Sequence, residues 1–118
     1  FYDGLRGIFA RHGIRCRIQG LGSRFCLYFG LDPDVEVKVY QDIVGHDFAM
    51  LKRFVRACFE QQVYFHSYDI VVGHHGFSAA HGRAELEESL ERIDTACSHL
   101  AASRRGQAWT GGGRDVKT

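Results

Sequence analysis

Apolar and polar positions change period several times along the chain, and each change marks a different predicted element. Over residues 1 to 13, Phe1, Leu5, Ile8, Phe9 and His12 recur at helical spacing, and Gly13 follows where a helix ends in a left-handed cap. Residues 14 to 19 alternate instead: Ile14, Cys16 and Ile18 are set against Arg15, Arg17 and Gln19, the mark of a strand with one wet face. Gly20, Gly22 and Ser23 supply a turn, and the aromatic-rich run RFCLYFG at 24 to 30 predicts a second strand, so the two make a hairpin. Pro33 in LDPD breaks the pattern, after which VEVKVY at 35 to 40 alternates again and predicts a short strand. Beyond Gly45, one face of the clearest helix carries Phe48, Leu51, Phe54, Val55, Cys58 and Phe59, with Asp47 available as N-cap. VYFHS at 63 to 67 predicts a third strand, and the glycine-containing stretch after it a fourth around Gly76 to Ala79. Residues 83 to 102 repeat Leu86, Leu90, Ile93, Cys97 and Leu100, the stripe of a long closing helix whose first half is crowded with glutamates, as the macrodipole favours.

This order predicts an α+β fold, a small and mostly antiparallel sheet with helices packed on one face. Residues 1–102 form the domain, and the aperiodic, glycine-rich residues 103–118 predict a disordered tail in which Trp109 is the one sizeable apolar group.

Composition changes this picture only at its margins. With 118 residues, 45% of them hydrophobic and 25% charged, the chain has the size of one domain with a real core. A net charge of +1 does not point to a dedicated nucleic-acid or polyanion binder, which needs a strongly basic surface. Charge is uneven all the same: Arg6, Arg11, Arg15, Arg17 and Arg24 face a single acid, Asp3, in the first 24 residues. That reads as a solvated face, or in a functional reading as a surface for carboxylate or phosphate. Cys16, Cys26, Cys58 and Cys97 form no C-x-x-C pair, so reduced thiols in a cytoplasmic setting are expected. No apolar run approaches the roughly 20 residues that span a bilayer, so no membrane partner is expected. The chain also opens at Phe1, already inside an amphipathic pattern, which reads as a piece of something longer.

Candidate chemistry is sparse. His66, His74, His75 and His81 lie close together in sequence but match no zinc spacing, so they read as ordinary polar or core histidines. His74 and His75, flanked by Gly73 and Gly76, are the best candidates for lining a substrate pocket, because backbone freedom suits a site-lining loop. Ser78 in GFSAAH lacks the G-x-S-x-G of a nucleophile elbow and reads as a strand-end hydroxyl. QGLGS is not G-x-G-x-x-G and precedes a strand, so a turn accounts for it better than a dinucleotide cradle. No metal site and no catalytic residue is assigned.

The order of these segments carries more than any one of them. A helix ending in HGI, then QGLGS, RFCLYFG, DFAMLKRFVRACFEQ, VYFH and HHGFSAAH leading into a long final helix resembles class III aminotransferases over about residues 1 to 102. The glutamate-1-semialdehyde aminomutase subgroup looks most similar. The resemblance implies the C-terminal small domain of a fold-type I enzyme, folded over a large domain that holds pyridoxal phosphate and its Schiff-base lysine, in a homodimer acting on small amino and keto substrates. Lys38, Lys52 and Lys117 inherit no catalytic role from it, no cofactor-binding residue falls in this chain, and the isolated chain is then inactive. Semialdehyde aminomutases typically carry a short F-E-A-G-F-like stretch before the serine, whereas this chain reads VVGHHGF without a glutamate, which favours a general aminotransferase of the subgroup. The competing reading is a stand-alone binding or regulatory module that takes a small acid through its N-terminal arginines.

Overall fold

The computed structural model describes residues 1–65 and 75–111. In chain order its elements are α1 (Tyr2–Arg11), β1 (Cys16–Leu21), β2 (Arg24–Phe29), a 3-10 turn (Tyr40–Ile43), α2 (Phe48–Glu60), β3 (His75–Gly76) and α3 (Arg83–Gly111). The strands make one antiparallel sheet in the order β1-β2-β3, and the helices cover the face bearing Cys16, Ile18, Phe25, Leu27 and Phe29, which is the expected α+β arrangement.

α1 stops where the sequence says it should. Gly13 adopts φ +67, its N–H reaches the Ala10 carbonyl, and the Ile14 N–H reaches back to Phe9, the two bonds of a Schellman cap. α2 ends on the same pair of bonds, from Gln62 to Phe59 and from Val63 to Cys58. Its left-handed residue is not glycine but Gln62, at φ 65. Arg92 on α3 holds that turn from outside, donating to the Gln61 carbonyl at 3.1 Å and to Gln62 Oε1 at 2.9 Å.

β1 and β2 pair from Cys16↔Phe29 to Leu21↔Arg24 and leave Gly22 and Ser23 as a two-residue loop. A positive φ of 60° at Gly22 and none at Ser23 is the pattern of a type II′ turn, which matches strand twist. The Tyr2 hydroxyl donates to the Gly22 carbonyl and ties the loop to the start of α1.

The core is one cluster drawn from every helix and the hairpin: Leu5, Ile8 and Phe9 from α1, Leu51, Phe54 and Cys58 from α2, Ile93 and Cys97 from α3. On α2 the buried stripe is turned toward Met50 and Ala57, so Phe59, expected inside, is 64% exposed on the far edge of the stripe. On α3, Leu86 and Leu90 are only half-buried, and the fully packed part begins at Ile93.

Four expected features differ. Residues 35 to 40 form no strand, because side chains take the backbone groups that a ladder would use. The Gln19 amide donates to the Val37 carbonyl and accepts from the Val37 N–H, each at 2.8 Å, and the Asp42 carboxylate accepts from Lys38 and Val39. Residues 63 to 65 are also outside the sheet, since the Val63 N–H is committed to the α2 cap; the rest of that expected strand lies outside the described residues. The expected fourth strand exists but is displaced to His75–Gly76, opposite Phe25 and Arg24. Finally, α3 continues past residue 102 to Gly111. Arg, Gln and Ala there are good helix formers, the single Gly106 costs only about 1 kcal/mol, and no proline interrupts.

The two caps give opposite expectations. Gly13→Ala should lower stability by about 1 kcal/mol, because alanine resists the left-handed region. Gln62→Gly should raise it by about 0.5 kcal/mol, the backbone relief exceeding the loss of one exposed hydrogen bond. Urea melts of the two variants against the parent chain measure both; equal signs would refute this account of the helix ends.

Candidate functional site

An open cleft of about 470 Å³ lies between the outer end of the hairpin, β3 and the first turns of α3. Its wall is aromatic. Phe1 lies 5.5 Å from Phe77 and 5.9 Å from Phe25, ring centre to ring centre, and Phe65 stands 6.4 Å from Phe25. The opposite rim is polar, formed by Gln62, Arg92, Glu85 and Glu88 among others.

Most polar groups of the rim are already committed. The Arg92 guanidinium bonds Glu88 as well as Gln61 and Gln62. Glu85 accepts the Gly82 N–H at 2.8 Å, the reciprocal half of a capping box at the start of α3. Ser78 and His81 belong to the turn that leads into that helix. The Ser78 N–H donates to His81 Nδ1 at 3.0 Å, and Ser78 Oγ accepts from the Ala80 N–H at 3.2 Å. With its oxygen serving the backbone and 3.5 Å from Nδ1, Ser78 is a turn residue rather than a nucleophile awaiting its base.

The two histidines singled out as pocket candidates separate here. His74 lies outside the described residues, as does His66. His75 is 5% exposed on β3, its ring 4.9 Å from Phe65 and 5.5 Å from Phe25, so it packs into the aromatic wall. Its neighbours Gly76 and Phe77 line the cleft. Sequence patterns gave no signal for Gln62 and Arg92, which meet only because α2 and α3 pack side by side.

A pyridoxal phosphate site needs a lysine turned into a pocket. Lys38 instead is exposed, 3.7 Å from Glu36 on the segment before the 3-10 turn, and Lys52 lies on the solvent side of α2. Lys117 is outside the described residues. The described residues therefore do not fit that cofactor. Among them no three potential ligands gather around a metal position, and no helix is long and apolar enough to cross a membrane.

The N-terminal arginines also have internal partners. Arg6 pairs with Asp3 at 2.8 Å, Arg11 with Asp94 at 3.3 Å and Arg15 with Asp32 at 3.9 Å, while Arg17 donates to the Pro33 carbonyl. His12 Nε2 meets the same Asp94 oxygen at 2.7 Å, and this bond, with Arg11 beside it, holds the Asp94 carboxyl below the usual carboxylate range. Three thiols are buried, Cys16, Cys58 and Cys97; burial drives all three up, Cys97 to about 12, so none is a ready nucleophile.

Against known proteins, the chain is similar to a glutamate-1-semialdehyde 2,1-aminomutase from Gemmatimonas aurantiaca, 34% identical over 94 residues. The match takes in 80% of this chain and 20% of that protein, so the chain spans about a fifth of the length of the curated relative it matches. The similarity relates the chain to an aminotransferase-like family of pyridoxal-phosphate enzymes. No family model matches it.

One titration is set by packing. His46 is 7% exposed, 4.5 Å from Phe48 and 6.1 Å from Tyr28, and burial holds its pKa below the ordinary imidazole value. The folded chain keeps the ring neutral while the unfolded chain protonates it. The stability it supports is therefore complete above about pH 6.5 and is lost as pH falls below that. Asp94 acts in the same direction at lower pH, its contribution disappearing as the carboxylate protonates. His46→Phe should flatten the stability profile just below about pH 6.5 and leave the deeper acid limb in place; an unchanged slope in urea melts there would exclude His46 as its source.

Proposed function

We propose that the chain is the C-terminal small domain of a class III pyridoxal-phosphate-dependent aminotransferase. One observation carries this reading: the similarity to the aminomutase takes in 80% of this chain, yet no described lysine faces its cleft. A domain of this kind supplies shape to an active site whose covalent chemistry is done elsewhere. In this reading a large domain of the same protein binds the cofactor and carries the Schiff-base lysine. The complete enzyme is then a cytoplasmic homodimer that moves an amino group between small amino and keto substrates, with no nucleic-acid or membrane partner. The missing glutamate in VVGHHGF favours transamination over the aminomutase reaction. His74 and His75 are assigned to the substrate mouth, on the support that β3 anchors His75 beside the cleft-lining Gly76 and Phe77. Nothing favours the acid-binding module as strongly, since Arg6, Arg11 and Arg15 are each paired with an aspartate.

The test is to express the gene product that contains this segment, with pyridoxal phosphate, alongside residues 1–118 alone. The longer polypeptide should show a cofactor absorption band that borohydride fixes as a covalent mass increase, and the 118-residue chain should show none. A borohydride-fixed adduct on Lys38 or Lys52, or a longer product with no cofactor band, would overturn the assignment. In the longer enzyme, His74→Ala should raise KM for the amino substrate roughly tenfold, about one lost hydrogen bond, with the cofactor band unchanged; steady-state kinetics at saturating cofactor give the comparison.

A further inference from the structure

Shape and charge at the cleft together select what enters it. Phe1, Phe25 and Phe77 form a triangle of rings whose centres lie 5.5, 5.9 and 6.4 Å apart, and Phe65 continues the wall 6.4 Å from Phe25. Phe25 and Phe65 are buried and fixed by the core, whereas Phe1 and Phe77 are half-buried and line the open space. A wall fixed in advance costs a ligand little ordering. Its volume of about 470 Å³ falls among small-molecule sites, which run from roughly 300 to 1,000 Å³.

Charge narrows the choice. Among the described residues that line the cleft, Arg92 is the one arginine or lysine, and its guanidinium already serves Glu88, the Gln61 carbonyl and Gln62 Oε1. Turning it toward a new carboxylate would release the left-handed turn at Gln62 that ends α2. Glu85 and Glu88 add carboxylates to the same rim. An incoming anion would shed its water there and meet like charge, whereas an aromatic ring gains contact area and edge-to-face partners. We infer that the substrate of the complete enzyme carries an aromatic ring at the end remote from its reacting amine, and that this ring, not a carboxylate, sits against Phe1, Phe25, Phe65 and Phe77. The inference rests on the aminotransferase reading, which assigns β3 and its neighbours to the substrate mouth, and goes further by naming the far end of the substrate.

Two amines of equal chain length isolate the effect: phenethylamine ends in a phenyl ring where β-alanine ends in a carboxylate. In the longer polypeptide at saturating cofactor, kcat/KM for phenethylamine should exceed that for β-alanine by roughly tenfold or more. Phe77→Ala should lower that ratio roughly tenfold, mainly through KM, and Phe77→Leu, which keeps apolar bulk in the same turn, should lower it less. A ratio at or below one, or a cofactor band with no turnover of phenethylamine, would overturn the aromatic-substrate proposal and leave the aminotransferase reading standing. An unchanged ratio in Phe77→Ala would overturn the placement of the ring in this cleft. A longer polypeptide with no cofactor band and no turnover of either amine would overturn both readings together.

Discussion

Phe29 lies where three elements meet, fully buried, with its ring 5.7 Å from Phe9 of α1 and 5.1 Å from Phe54 of α2. Each approach is edge-on or tilted, the arrangement that aromatic quadrupoles prefer. From there rings continue outward, Phe54 to Phe65 at 5.5 Å, Phe65 to His75 at 4.9 Å, and Phe25 to Phe1 and Phe77 at the cleft. The wall of the cleft is therefore the outer end of the core. Tertiary close packing makes such a wall stiff, and a change at Phe54 would reach the cleft through contacts already in van der Waals range. Placement of the short strand β3 depends on this, since two residue pairs with β2 are too few to hold it without His75 wedged among the rings.

How much of this was legible in the sequence follows from which interactions are local. The helix ending at Gly13 and the hairpin around Gly22 were readable because the left-handed backbone and the period-two alternation are stated by neighbouring residues. VEVKVY misled because its alternation is real, yet its backbone is satisfied by Gln19 and Asp42 rather than by a strand. A side chain that completes a backbone from 18 positions away leaves no periodic trace. Gln62 is the same case at a helix end. Its left-handed conformation has no glycine to announce it and is held by Arg92, 30 residues on.

The candidate site was less legible than the fold. Cleft walls come from Phe1, Phe25, Phe65 and Phe77, each of which reads in sequence as a core residue, and each is one in part. The arginines near the N-terminus, read in sequence as a solvated face or alternatively as a surface for carboxylate or phosphate, stand in pairs with Asp3, Asp94 and Asp32. Those aspartates are 3, 83 and 17 positions away, so only the first pair falls within one helical turn.

The distribution of polar groups separates the two readings of the chain further. A self-contained binding module concentrates uncommitted polar groups in its concavity and keeps apolar surface away from the rest of its exterior. Here the arrangement is reversed. Arg92, Glu85 and Glu88 on the cleft rim spend their hydrogen bonds on helix ends and on one another, while Tyr40 and Val44 stand exposed on a braced turn elsewhere. A rim whose polar groups are mostly committed contributes shape and dryness to a site rather than chemistry. That agrees with the proposed covering domain, whose own hydrogen bonds would serve to keep its covering face rigid.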